Sequence, residues 1–239
     1  MKKRWCIGEL TTDFLWLMEK TLDIYGLPYN PKRPQICFDE SPYQLINDVV
    51  DPIPMKPGSV KKEDHHYNRN GVCQILIAFE PLTGQRFIQV REQRTKKDYA
   101  EFMKEVAEKL YPDAEKIVVV QDNLNTHNPG SFYKILPPKE AFELAERFDM
   151  HYTPKKASWL NMVEIELSVL SKQCLDRRIG DIKTVKRELL QWVKDRNEKN
   201  ATVNWQFTKN MARDKFKKFY PTSQNLLYKA LVLCKVNFD

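Results

Sequence analysis

Residues 117–122 read Ile-Val-Val-Val-Gln-Asp, and this stretch indicates how the chain folds. Four consecutive β-branched residues without a polar interruption are typical of a strand that is buried on both faces, as in a parallel sheet. Helical spacing of apolar residues near 95–111 and 138–148 predicts a helix on each side of this strand. Asp122 then lies at the carboxyl end of the strand, where functional residues collect in open α/β sheets.

Four further apolar runs predict the rest of the sheet. They lie at residues 36–38, 72–79, 87–90 and 150–152. The pair Asn70-Gly71 predicts a tight turn into the second run, and a long proline-rich loop is expected before it. Three meandering strands followed by right-handed crossovers predict an α/β fold with a mixed five-stranded sheet flanked by helices, as in ribonuclease-H-like folds.

The pattern divides the chain into three parts. Residues 1–33 are expected to be an N-terminal helix over 12–25 and a linker, residues 34–221 the α/β domain, and residues 222–239 an apolar tail. Further helices are predicted at 158–175, 182–198 and 208–219.

Composition excludes several classes of protein. No apolar run approaches the roughly 18–20 residues that cross a bilayer, so no membrane partner is expected. Seven glycines are too few for a glycine-rich phosphate loop, which argues against a nucleotide cofactor. Five cysteines without a CxxC pair suit a reduced, cytoplasmic setting. The net charge of +7 modestly favours a polyanionic partner such as nucleic acid.

Carboxylates at strand ends are the candidate catalytic groups. Asp39 and Asp122 each follow a buried strand, although an aspartate there can also be simple turn chemistry. Chemistry on phosphodiesters can use two divalent ions about 3.5–4 Å apart, which need roughly three convergent carboxylates. Magnesium suits such a set because it prefers carboxylate and phosphate oxygens.

The third carboxylate is expected from the helix over 158–175. Glu164 and Glu166 are about 200° apart on a helical wheel, so they cannot share one site. Glu164 lies on a narrow polar face with Asn161 and Ser168, which favours it, while either glutamate alone could be a solvated helix residue.

Other polar groups fall near the predicted strand ends. Asn123 and His127 could orient Asp122. Four cations near the strand ends could contact DNA phosphates, although each could also be simply solvated. They are Arg94, Lys96, Lys155 and Lys156. The adjacent pair His65-His66 beside Asp64 lacks the i, i+4 or CxxC-like spacing of metal ligands on one face, so no metal site is expected there.

Three segments, taken together, resemble the catalytic blocks of DDE transposases. They are Cys-Phe-Asp-Glu at 37–40, Gln-Asp-Asn-Leu-Asn-Thr-His at 121–127 and Trp-Leu-Asn-Met-Val-Glu at 159–164. The sequence is most similar to bacterial insertion-sequence transposases of the mariner superfamily.

This resemblance implies a catalytic triad of Asp39, Asp122 and Glu164 that holds two Mg²⁺ ions, for which Mn²⁺ can substitute. It implies hydrolytic cutting at transposon ends and attack of the freed 3′-OH on target DNA. Double-stranded DNA would be the partner, a homodimer would assemble on it, and the enzyme would act in the cytoplasm in association with the nucleoid.

Two alternatives stay open at this point. The chain could be a ribonuclease-H-like nuclease without strand transfer, or a non-catalytic DNA-binding remnant of a transposase. Members of the superfamily carry an N-terminal helix-turn-helix region that recognises the transposon ends, and no such segment precedes Asp39. Specific binding of transposon ends therefore stays open as well.

Overall fold

The computed structural model describes residues 10–220, which form two compact units. The larger unit spans Pro28–Asn204. The smaller unit combines the two flanks of the chain, of which residues 10–27 and 205–220 are described. The predicted tail at 222–239 lies outside the described residues, and the predicted domain bounds stay a prediction.

The larger unit is an α/β fold with one mixed sheet. Its strands are β1 (Gln35–Asp48), β2 (Tyr67–Glu80), β3 (Gln85–Arg91), β4 (Ile117–Gln121) and β5 (Phe148–Tyr152), in the spatial order β3-β2-β1-β4-β5. The first three strands pair antiparallel, whereas β4 pairs parallel with both β1 and β5. This arrangement confirms the predicted mixed five-stranded sheet, and it directs β1, β3, β4 and β5 the same way, so their carboxyl ends share one edge.

The helices of the larger unit cover both faces of the sheet. They are α2 (Lys96–Glu105), α3 (Pro138–Glu146), α4 (Val163–Leu170) and α5 (Ile182–Glu198). On one face, α2 and α3 enclose a core that includes Phe38, Tyr99 and Phe102. Because side chains alternate along a strand, Ile77 and Phe79 point to the other face, where α4 and α5 pack.

The first two strands are longer than the sequence indicates. Residues predicted as loop extend β1 to Asp48, including Pro42, which is opposite Gln74 of β2. A proline is tolerated here because β1 pairs with β4 only as far as Cys37, so the strand has one open side beyond that point.

Asn70-Gly71 does not form the predicted turn. The pair lies within β2, where the register with β1 shifts between Gln44 and Ile46, so it forms a β-bulge. Gly71 has a φ of 99°, and its carbonyl accepts a 2.6 Å hydrogen bond from the side chain of Gln44. The positive φ that favours glycine in a hairpin turn serves the bulge equally well.

The smaller unit contains α1 (Thr12–Tyr25) and α6 (Lys209–Lys215). Thr11 caps α1 by accepting a hydrogen bond from Phe14 N. Arg213 donates two hydrogen bonds to Glu19, and the ring of Trp205 packs edge-on against Tyr25. Among residues 10–220, no helix is both long and apolar enough to cross a membrane.

Candidate functional site

The sheet register brings Asp39 and Asp122 to the same level. Cys37 of β1 is paired with Val120 of β4, and each aspartate follows its paired residue by two positions. Since parallel neighbours are about 4.8 Å apart, the two side chains start close together at the shared edge. Asp39 within β1 and Asp122 directly after β4 thus lie side by side where β4 ends.

Asp39 is held from two sides and is hard to ionise. Glu40 N donates a 2.8 Å hydrogen bond to its Oδ1, and Asn161 Nδ2 lies 3.5 Å from its Oδ2 while donating to Phe38 O at 2.9 Å. Burial, followed by the charges of Asp122 and Glu164, raises the pKa of Asp39 from 3.8 to about 7. The carboxyl is therefore poised to take up a proton or a cation.

Asp122 is paired with a buried histidine. Its Oδ1 lies 2.5 Å from Nδ1 of His127, whose ring packs against Phe38 and Tyr99. Burial opposes the charge of both partners. Their mutual attraction nevertheless raises the pKa of His127 to about 9 and lowers the pKa of Asp122. An imidazolium thus orients the Asp122 carboxylate.

Glu40 is a member of this cluster that sequence reasoning missed. Its side chain is only 4% exposed, with Oε2 3.5 Å from His127 Nε2 and Oε1 3.8 Å from a guanidinium nitrogen of Arg94. Because successive side chains of a strand point to opposite faces of the sheet, the adjacent Asp-Glu pair could have suggested that Glu40 lies on the face opposite to Asp39. His127 therefore lies between two carboxylates, which explains its raised pKa.

Glu164 lies in the first turn of α4 and is half-buried. Its charge acts on Asp39, which places the two groups within electrostatic range. Its backbone N–H bonds to Asn161 O, the residue that also holds Asp39. Among the described residues, one group of three potential metal ligands has all its ligand atoms within 4.8 Å of one another, and it consists of Asp64, His65 and His66. The ligand atoms of the three candidate carboxylates are therefore more widely spaced than this limit.

Glu166 is not a solvated glutamate. It is 1% exposed, and its carboxylate accepts hydrogen bonds from Arg86 Nε at 2.5 Å and Arg196 at 2.9 Å. Arg86 is itself fully buried, stacked 4.6 Å from the centre of the Phe79 ring. The sequence interpretation missed this ion pair because its partners come from β3 and α5, which lie far away in the chain.

The remaining candidates are mostly exposed. Asn123 is exposed beside Asp122. The four candidate DNA-binding cations are exposed too, and they occupy the segments that follow β3 and β5: Arg94, Lys96, Lys155 and Lys156. They therefore lie at the same sheet edge as the carboxylates, as an electropositive border around an acidic centre.

Comparisons with known proteins agree with this arrangement. No curated protein matches the chain by sequence. In contrast, solved structures of the Mos1 mariner transposase share its fold. The paired-end complex with Mn has a TM-score of 0.55 at 15% identity and covers 84% of this chain and 61% of that one.

Two further Mos1 structures are similar to the same degree. The strand transfer complex has a TM-score of 0.55 at 14% identity, with coverage of 84% and 61%. The paired-end complex with Mg has a TM-score of 0.51 at 15% identity, with coverage of 84% and 60%. The chain thus spans about three fifths of the length of these transposases.

The family match covers the part of the chain that builds the site. Residues 34–186 match the family described as DDE superfamily endonuclease, which is more than half of the chain. This range contains all five strands and every candidate carboxylate. The chain therefore belongs to the DDE superfamily of endonucleases.

Proposed function

We propose that this chain is the catalytic domain of a DNA transposase. It would cleave phosphodiesters at transposon ends and transfer the 3′-OH into target DNA, using Asp39, Asp122 and Glu164. The observation that carries this proposal is the meeting of Asp39 and Asp122 at one sheet edge, with Glu164 in electrostatic range. Membership in a DDE endonuclease family and the Mos1 strand transfer complex among its structural relatives support it.

The donor set fits two divalent ions. Three carboxylates supply the hard oxygen ligands that Mg²⁺ prefers, and Mn²⁺ accepts the same ligands. A cation would also offset the burial and repulsion that raise the pKa of Asp39. When bound, such ions activate the attacking oxygen and stabilise the leaving oxygen of the phosphodiester.

The protein's own residues prepare the carboxylates. His127, fixed between aromatic rings, holds Asp122 ionised and in one orientation. Asn161 links β1 to the start of α4, because its side-chain amide donates to Phe38 O while its backbone carbonyl accepts from Glu164 N. This link fixes the distance between the strand that carries Asp39 and the helix that carries Glu164.

The exposed cations give the site an affinity for DNA. Arg94, Lys96, Lys155 and Lys156 would contact phosphates of transposon end and target, which positions the duplex without reading its sequence. Two DNA ends must be processed together in transposition, so a second copy of the chain on the same DNA is the expected partner.

Plasmid nicking and strand transfer test this function. The assay would follow relaxation of supercoiled plasmid in Mg²⁺ or Mn²⁺, and joining of a precleaved duplex with a free 3′-OH to target DNA. We expect both activities in the chain, and neither in Asp122→Asn or Glu164→Gln. Glu143→Gln is a matched control because Glu143 is an exposed glutamate on α3.

The outcomes separate the alternatives. Cleavage without joining would favour a nuclease without strand transfer. DNA binding without cleavage by the folded chain would favour a non-catalytic remnant. Full activity in folded Asp122→Asn would show that the triad is wrong. Glu166→Ala is unsuitable as a control because it removes a buried ion-pair partner.

A further inference from the structure

The segment that leads into β2 brings three metal-ligand atoms together. Asp64 Oδ1 lies 3.1 Å from Nδ1 of His65 and 3.4 Å from Nδ1 of His66. The two imidazole rings lie on the same side of the chain, with centres 3.9 Å apart. All three ligand atoms lie within 4.8 Å of one another.

These distances match the coordination shell of a small transition-metal ion. A tetrahedral zinc site with bonds of about 2.0–2.1 Å has neighbouring ligand atoms about 3.3 Å apart. The Asp64 oxygen is at this separation from both histidine nitrogens. Three protein ligands leave the fourth position to water, as in open zinc sites.

The sequence interpretation excluded a site here because adjacent residues of a regular strand or helix face different ways. His65 and His66 precede β2 and belong to neither kind of element, so the backbone can turn both rings toward Asp64. Both histidines can therefore contribute to one site although they are adjacent in the chain.

A second layer of contacts fixes the backbone that carries the ligands. Arg178 donates hydrogen bonds to Asp64 O at 2.7 Å, to His66 O at 3.3 Å and to Asp48 Oδ1 at 2.6 Å. The backbone N–H of His66 also donates to Asp64 Oδ1 at 3.2 Å. Backbone and outer contacts of this kind orient metal ligands and tune their affinity.

The carboxylate next to the cluster is already paired with cations. Glu63 adds a second carboxylate, with Oε2 4.0 Å from Arg178 Nε and its other oxygen paired with Lys61. This pairing leaves Asp64 as the carboxylate of the cluster. Two imidazoles and one carboxylate are a typical ligand set for zinc.

From this geometry we propose that Asp64, His65 and His66 bind one divalent transition-metal ion, namely Zn²⁺. The site is separate from the three catalytic carboxylates and differs from them in chemistry, because two of its three ligands are nitrogens. Mg²⁺ requires oxygen ligands and does not compete for it. Bound zinc stabilises the segment between β1 and β2 where it enters β2.

Calorimetric titration of the full chain tests the site. The protein, without a histidine tag and freed of metal by chelation, is titrated with ZnCl₂ in excess MgCl₂, which occupies the catalytic carboxylates. We expect one zinc per chain. Asp64→Asn, His65→Gln and His66→Gln should each weaken binding by more than about tenfold, since each removes one of three ligands. These side chains are largely exposed, so the variants are expected to fold, which circular dichroism checks.

Two controls and a second readout complete the test. His151→Gln and Asp122→Asn should bind zinc like the unaltered chain. Zinc should also slow tryptic cleavage at the exposed Lys61 and Lys62 in the unaltered chain but not in His66→Gln. The proposal is overturned by absence of zinc binding, by binding that all three ligand variants keep, or by binding that only Asp122→Asn loses.

Discussion

The carboxyl group of Asp39 opposes folding when it is ionised, because burial and the charges of Asp122 and Glu164 raise its pKa to about 7. A raised carboxyl pKa means that the folded state favours the protonated form. Protonation of Asp39 therefore stabilises the folded state relative to the ionised form. This stabilisation is complete below pH 3.8 and is lost as the pH rises through about 7. Without a bound cation, the ionised cluster is thus unfavourable for the fold.

We predict that Asp39→Asn is more stable than the unaltered chain at pH 8 in a chelator. The gain in free energy of unfolding has an upper bound of about 4 kcal/mol, at about 1.4 kcal/mol per pKa unit. Urea denaturation between pH 4 and 8 measures it, and the two curves should converge at the acid end. The exposed Asp113→Asn is the control. Equal stability of Asp39→Asn and the unaltered chain at pH 8 would contradict the prediction.

Which single residues can be predicted from sequence depends on where their partners lie. Asp39 and Asp122 stand out because each follows an apolar run, and His127 because it is five residues from its partner. Glu40 and Glu166 do not, because their roles come from burial against distant groups, such as Arg94 and Arg86. Pattern alone identifies candidate ligands, whereas tertiary contacts distinguish ionised, buried and solvated carboxylates.

At the scale of elements, α4 is anchored through one buried carboxylate. Glu166 accepts hydrogen bonds from Arg86 of β3 and Arg196 of α5, so three elements meet at one carboxylate. Because residues 164 and 166 are about 200° apart on a helix, burial of one directs the other away from this contact. The anchor thus sets the rotation of the helix that carries Glu164.

Glu166→Gln should strongly destabilise the fold. It leaves the buried Arg86 without a counter-charge, which costs about 3–5 kcal/mol in comparable sites. Urea denaturation at pH 7 provides the measurement. Glu164→Gln is a matched control on the same helix, and it should leave stability nearly unchanged while abolishing cleavage. A Glu166→Gln protein as stable as the control would show that the pair does not anchor α4.

In the turn between β2 and β3, the backbone at Gly84 lies so close to the backbone at Asn200 that there is no room for a side chain. Gly84 has a φ of 74°, and a Cβ there would lie 2.6 Å from the carbonyl carbon of Asn200. We predict that Gly84→Ala lowers the free energy of unfolding by roughly 1–3 kcal/mol more than Gly71→Ala. Gly71 also has a positive φ but open space around its Cβ position, so the difference isolates the contact. Equal thermal shifts in the two variants would contradict this explanation.

Element types could be read from the sequence better than element lengths. The apolar run at 117–120 and the helical spacing at 12–25 and near 95–111 are local patterns, and the structure has a strand or a helix at each. The extension of β1 past Pro42 depends on pairing with β2, and the bulge at Gly71 depends on register. Both are properties of two strands together, which the pattern of one strand does not contain.

At the scale of the whole molecule, the charge of the candidate site differs in sign from the net charge of the chain. The chain has a net charge of +7, yet its candidate site is acidic and the nearby cations stand on segments after β3 and β5. Such an arrangement attracts a duplex by its phosphates while leaving the carboxylates free for metal. Affinity for DNA should therefore depend strongly on salt and weakly on sequence.

We predict that Arg94→Gln, Lys155→Gln and Lys156→Gln each weaken binding of duplex DNA and make it less dependent on salt. Each lost phosphate contact should reduce the slope of log affinity against log salt concentration by about 0.9. Fluorescence anisotropy with two unrelated duplexes at several salt concentrations gives both slopes. Lys139→Gln is the matched control, because Lys139 is an exposed lysine on α3 paired with Glu143.

Since phosphate contacts carry no base information, the loss of affinity in each variant should be the same for both duplexes. An unchanged slope in all three variants would remove these cations from the DNA interface, whereas a loss for only one duplex would mean that they read bases.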